Sequence, residues 1–320
     1  MNSSYAGIVG APVTPFKSDN TVDYETFAKQ VNFLVENGVS LIAHPMHIGE
    51  SVNLTDGERR ELARVLVAAA AGRVPTFVHV SFAGTDLAMD LARHSVKAGA
   101  TGIVLMAPYH WRSGPQAIVE HFVSVTEACG GKLIVYNNPK ATNVDLNMDV
   151  LEQLMDRLPG FVAIKDATFH METFTDICEL IARKSKPIAA YTGIEYLLTS
   201  VPVGGQGCFS ACSEVAPRLT AALYQACARG DIVKARELQF KVRRLLKVVM
   251  HNYPATIKYA MELLGRPVGT TRRPILPPTA EEKAWVKAEL TALGVFENEP
   301  QGWHAQGTQG QRVNEQLPAV

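Results

Sequence analysis

The chain has 320 residues, 47% of them apolar, with Lys plus Arg and Asp plus Glu equal at 31 each and hence no net charge. A chain of that length holds one large domain or two ordinary ones and can bury a sizeable core. Zero net charge argues against a broad basic surface for nucleic acid or a basic membrane anchor.

The start, MNSSYAGIVGAP, lacks a basic segment leading into an apolar one, so no signal peptide is expected. From residue 7 to residue 230 one pattern recurs: a short apolar run, an amphipathic stretch, then Gly or Pro. The runs are 7–16, 39–47, 75–81, 101–109, 132–139, 161–168, 187–193 and 205–212. They are continuous in Val, Ile, Leu and Ala rather than alternating, as in a parallel sheet covered on its outer face. Between them, TDGERRELARVLVAAAAG opens on a Thr/Asp cap signal and ends at Gly72, while DLAMDLARHSVKAGA and MDVLEQLMDRLPG carry apolar residues three and four apart. Repeated strand–helix units of this kind predict an α/β fold, a (β/α)8 TIM barrel over 1–230. No GxGxxG opens a helix after the first strand, which disfavours a dinucleotide-binding fold. Three more helices are expected over 231–296 as a C-terminal helical extension packed on the barrel's side. The Gln- and Gly-rich residues 297–320 are expected as a loosely held polar tail.

Five cysteines lie at 129, 178, 208, 212 and 227, with no CxxC pair, and are expected as free thiols in a reducing cytosol. No apolar run is long enough to span a membrane. A cytoplasmic protein without membrane or nucleic-acid partners is therefore expected. His44 and His47 are three apart but lack a third ligand nearby, so no metal and no cofactor is expected.

Active sites of such barrels form at the C-terminal ends of the strands. Those ends deliver Thr14; His44, Met46, His47, Gly49 and Glu50; Tyr109 and His110; Tyr136, Asn137 and Asn138; Lys165 and Asp166; Thr192, Gly193 and Glu195; and Ser210. Lys165 stands out within FVAIKDAT, because an amine inside an apolar strand is costly unless paired or neutral. It is either paired with Asp166, or reaching to water, or an amine with a lowered pKa able to attack a carbonyl. Tyr136 comes one strand–helix unit earlier, so neighbouring strands present both side chains at one rim. A phenol there can move protons while an imine forms and breaks.

TPF (14–16), GE (49–50), PY (108–109), YNNP (136–139), IKDAT (164–168) and GGQGCFS (204–210) resemble, in order and spacing, the dihydrodipicolinate synthase / N-acetylneuraminate lyase family. The likeness runs from residue 7 to about residue 290. It implies class I aldolases and related lyases that hold a 2-oxo acid, often pyruvate, as a Schiff base, and a homotetramer built as a dimer of dimers. It implies Lys165 as the imine-forming lysine and Tyr136 as the proton shuttle, with Phe209 and Ser210 beside the imine and Thr14 at the pocket base. Ile48, Gly49, Glu50, Asn138, Lys140 and Gly193 are carried over as substrate-binding positions.

The chain departs from the family at named places. The strand-two loop, usually G-T-T-G-E or G-S-T-G-E, reads Met46-His47-Ile48-Gly49-Glu50, and Ile48 has no side-chain donor. His110 stands where the synthases carry a second tyrosine. Ala141, after Lys140, stands where they carry an arginine for the second substrate's carboxylate. Two imidazoles thus suggest a Tyr136–His47–His110 proton network, with His110 from the same or a neighbouring subunit; ordinary pocket-wall histidines are the alternative. The expected function is a Schiff-base lyase, aldolase or hydro-lyase on a small-molecule 2-oxo acid, with an aldehyde as partner. The alternatives are 4-hydroxy-tetrahydrodipicolinate synthase and a non-catalytic binding barrel.

Overall fold

The computed structural model describes residues 4–303. Eight parallel strands close into a barrel in chain order, β1 to β8. The first half runs β1 (Gly7–Gly10), α1 (Tyr24–Glu36), β2 (Leu41–His44), α2 (Asp56–Ala70), β3 (Thr76–His79), α3 (Thr85–Lys97), β4 (Gly102–Met106) and α4 (Pro115–Cys129). The second runs β5 (Lys132–Asn137), α5 (Pro139–Thr142), α6 (Met148–Arg157), β6 (Phe161–Asp166), α7 (Met171–Lys184), β7 (Ala189–Thr192), α8 (Leu197–Ser200), β8 (Gly207–Ser210) and α9 (Pro217–Ala228). Every strand residue but Lys132 is buried, as the continuous apolar runs require of a sheet walled by helices.

The strands are shorter than the apolar runs, and chemistry explains the first. Residues 7–16 give a four-residue strand, because Pro12 and Pro15 have no N–H to donate to a ladder. The helices begin where caps allow. Thr55 and Glu58 form a reciprocal capping box at α2, and Asn147 accepts from the Val150 N–H at α6. The helix α1 turns Phe27, Val31 and Leu34 inward, each worth about 1.5–3 kcal/mol relative to exposure.

Register sets the height of the side chains. Tyr136 of β5 pairs with Lys165 of β6, and Lys165 pairs in turn with Tyr191 of β7. Strand alternation then sends Lys165 and Asp166 to opposite faces.

Beyond the barrel come α10 (Ile232–Val249), α11 (Ala255–Leu263), α12 (Ala280–Ala292) and α13 (Val295–Asn298). Helix α10 packs on α9 and α8, but the α10–α11 turn climbs to the barrel mouth, where Met250 and Tyr253 line the central cavity.

Within the segment expected as a tail, Glu299 and Trp303 are held against the fold. The Glu299 carboxylate accepts from the N–H groups of Arg218 and Leu219, both at 2.9 Å, so it satisfies orphan donors in the first turn of α9. Trp303 packs edge-on against Phe33 at 6.2 Å. The remainder of the expected tail, 304–320, lies outside the described residues. No helix among the described residues is long and apolar enough to cross a membrane.

Candidate active site

The C-terminal strand ends surround a cavity of about 210 Å³. Lys165, Tyr136, Asn138, Ser210, His47 and Tyr253 are its polar lining side chains. Lys165 is 6% exposed. Its Nζ lies 4.0 Å from the centre of the Tyr136 ring and 4.4 Å from that of Phe209. Two aromatic faces favour an ammonium by about 0.5–2 kcal/mol each. Burial opposes this and prevails, lowering the Lys165 pKa from 10.5 to about 7. A shift of that size corresponds to about 5 kcal/mol of preference for the neutral amine.

The Lys165–Asp166 pair does not form. Asp166 accepts instead from the Asn137 side-chain amide at 3.0 Å and the Thr168 hydroxyl at 2.7 Å. No carboxylate contributes to the lysine's shift, whose cause is burial.

Tyr136 is buried, and burial pushes its phenol far above 10. Its hydroxyl oxygen accepts from the Asn138 side-chain amide at 2.9 Å. That bond occupies a lone pair and leaves the hydroxyl proton free to be given. Ser210 is braced within the wall: it donates to Glu195 at 2.6 Å and accepts from the Ser213 N–H at 2.9 Å. Gly193 presents bare backbone, since a Cβ there would stand 2.9 Å from that of Ala167.

The structure brings together Lys165, Tyr136, Asn138, His47, Ile48, Gly193, Phe209 and Ser210 around this cavity and leaves the other expected residues outside it. Thr14 lies behind the wall, donating to the Gly49 carbonyl at 2.5 Å with its oxygen 3.1 Å from His44 Nε2. Since the one hydroxyl proton goes to that carbonyl, His44 donates to Thr14; Thr14 and Gly49 therefore brace the loop that carries Ile48. Glu50 is buried against Lys258, 2.7 Å away, and also accepts from the Arg272 N–H, so its carboxylate is committed to structure. Lys140 is exposed, its Nζ 5.7 Å from the centre of the Phe169 ring.

His47 stands at the rim with its pKa below the ordinary 6.5, through desolvation and the nearby Lys165 charge. His110 is exposed against Trp111, with ring centres 4.9 Å apart, and does not line the cavity of this subunit. The histidine against Tyr136 is instead His79, edge-on at 6.1 Å. Its Nδ1 donates to the Pro45 carbonyl at 2.9 Å, and burial holds it neutral. Its place inside a buried strand gave no sign of a site. Met250, Tyr253, Phe169 and Ile194 were likewise missed; the first two arrive from the extension through contacts no local pattern announces. No cluster of three or more His, Cys, Asp or Glu side chains suited to a metal occurs among the described residues.

An amine whose pKa burial lowers to about 7, beside a phenol with a free proton, can add in its neutral form to a carbonyl and move the accompanying protons. The chain is also similar to known proteins. A 4-hydroxy-tetrahydrodipicolinate synthase of Chlorobium chlorochromatii is 32% identical over 292 residues, 91% of this chain and 98% of the relative. A dihydrodipicolinate synthase structure from Aquifex aeolicus matches with a TM-score of 0.86 at 28% identity, covering 91% of this chain and 99% of that one. The pyruvate complex of YagE from E. coli K12, a prophage protein of the dihydrodipicolinic acid synthase family, matches with a TM-score of 0.86 at 26% identity, with the same coverage. The model of the Dihydrodipicolinate synthetase family matches residues 4–293. With barrel, lysine and tyrosine placed as above, the chain belongs to the dihydrodipicolinate synthetase family and is a lyase.

Proposed function

We propose that the protein is a class I lyase that joins Lys165 to the carbonyl carbon of a 2-oxo acid, such as pyruvate or a pyruvate-derived adduct. The observation that carries this reading is a lysine buried without a carboxylate partner, its pKa lowered to about 7.

The neutral amine adds to the carbonyl carbon while the π pair moves to oxygen. One proton passes from nitrogen to that oxygen, and a second lets it leave as water. The nitrogen lone pair then closes the C=N bond, giving an N-protonated iminium. Tyr136 suits the transfer, since its proton is free while Asn138 steadies its oxygen. In cleavage, the substrate hydroxyl beyond the adjacent carbon loses its proton, and the carbon–carbon bond pair flows toward the iminium. An aldehyde departs, the resulting enamine takes a proton on carbon, and water frees the lysine. Loss of water from the same hydroxyl carbon uses the same electron sink.

The name of the Chlorobium chlorochromatii relative favours a second reading, 4-hydroxy-tetrahydrodipicolinate synthase, with pyruvate and aspartate semialdehyde as substrates. Ala141, at the place of the synthases' arginine, weighs against it. Family likeness extends the proposal to a homotetramer acting in the cytoplasm; light scattering would test the assembly.

Borohydride reduction with pyruvate, followed by peptide mass spectrometry, tests the chemistry. A reduced adduct on Lys165 is expected, and none in Lys165→Ala. If neither pyruvate nor any other carbonyl compound leaves an adduct, the protein is a binding barrel rather than a Schiff-base enzyme.

A further inference from the structure

The cavity's chemistry is uneven. Lys165, Tyr136, Asn138, Ser210, His47 and Tyr253 line it with polar atoms, whereas Ile48, Phe169, Ile194 and Met250 give it an apolar wall. Phe169 and Met250 leave 40% and 39% of their surface exposed at the mouth, apolar area that a ligand would cover. Among the lining side chains of the described residues, Lys165 is the one lysine or arginine. His47 adds no charge near neutral pH, since its pKa is lowered.

The cations just outside are already engaged. Arg59 donates to the His79 carbonyl at 2.8 Å, and Lys258 donates to Glu50 at 2.7 Å. Lys140 is exposed outside the cavity, where water screens its charge.

We propose that this site takes a 2-oxo monoacid whose tail, beyond the reacting carbons, is uncharged and apolar, a branched alkyl or single-ring group selected by Ile48, Phe169 and Met250. The inference rests on the Schiff-base reading and names its substrate class. The iminium on Lys165 supplies a positive charge beside the substrate's own carboxylate. A second carboxylate further along would be pressed against Ile48, Phe169 and Met250 without a cation beside it, which is costly. Size agrees: an apolar cavity of about 150 Å³ holds benzene, and this one measures about 210 Å³ and opens to the mouth.

The test separates binding from imine chemistry. Calorimetry on the full chain compares 4-methylpentanoate and 3-phenylpropanoate, which cannot form an imine, with the diacid glutarate. Borohydride trapping compares 4-methyl-2-oxopentanoate and phenylpyruvate with 2-oxoglutarate. The apolar monoacids are expected to bind about tenfold or more tightly than glutarate, and Ile48→Thr to narrow the gap. Glutarate binding as tightly as the monoacids overturns the proposal. If that affinity is lost in Lys140→Met, Lys140 is the distal carboxylate's receptor. Failure of every acid to bind also overturns it. A calorimetric gap without any Lys165 adduct leaves the apolar pocket standing and removes the Schiff base; equal trapping without a gap does the reverse.

Discussion

Lys258 of α11 and Lys165 of β6 are 2% and 6% exposed, yet their surroundings differ in kind. Lys258 donates to the Glu50 carboxylate at 2.7 Å and to the carbonyls of Thr14 and Thr270 at 2.8 and 2.9 Å. Burial lowers its pKa to about 8 against the pull of Glu50, so it stays charged at neutral pH. Lys165 has two aromatic faces and no carboxylate. Burial alone therefore does not mark a reactive amine; burial without a counter-charge does. One lysine fastens the helical extension to the strand-two loop, and the other is left poised to lose its proton.

The sharpest way to break this contrast is to remove each lysine in turn. Lys165→Ala should cut turnover by roughly 10⁴-fold or more, measured as kcat/KM on any 2-oxo acid the enzyme accepts. Comparable activity in that variant would deny the lysine its role. Lys258→Ala should keep the Lys165 adduct but cost about 3–5 kcal/mol of stability in urea unfolding, because the buried Glu50 loses its ion-pair partner. A variant as stable as the parent would show that the pair holds nothing.

The same contrast predicts a gain. Lys165→Met should stabilise the fold by about 2–3 kcal/mol at pH 7, less than the full shift implies because water at the mouth relieves part of the penalty. The sign follows from the lowered folded pKa. Above pH 10.5 both states are neutral and nothing is gained. As pH falls from there toward about 7, the unfolded chain takes a proton that the folded one refuses, so the parent loses stability. Below about 7 both carry the proton and the deficit is constant. Unfolding curves for both proteins across that range should therefore converge at alkaline pH; a constant difference would contradict the assignment. The smallest effect is kinetic. The parent's kcat/KM should fall about tenfold per pH unit below a limb near 7, and His47→Gln should leave the limb in place. A limb that moves with His47 would restore the histidine network.

Much of the architecture was legible because its signals are local. The apolar runs of all eight strands sit where strands form, and the interval from Tyr136 to Lys165 correctly places both at one height. A resemblance, however, fixes positions along the chain rather than contacts. Glu50 occupies a site-facing place in the GE motif, yet is drawn away by Lys258, whose ion pair spans 208 residues of sequence. Thr14 is taken up by the Gly49 carbonyl in the same manner. Tyr253 and His79 were invisible for the opposite reason: neither lies in a pattern that separates a core aromatic from a cavity wall. His110 stands where the family's motif carries a tyrosine, but the backbone there adopts φ 74° and the imidazole lies exposed against Trp111.

The α10–α11 turn divides labour within the molecule. The proposed covalent chemistry rests on β5 and β6, while part of the mouth belongs to Met250 and Tyr253, outside the eightfold repeat. Ligand preference can thus be rewritten in that turn while the reacting pair stays untouched. A shortened chain ending before Met250 would keep its amine and phenol but forfeit one side of its doorway.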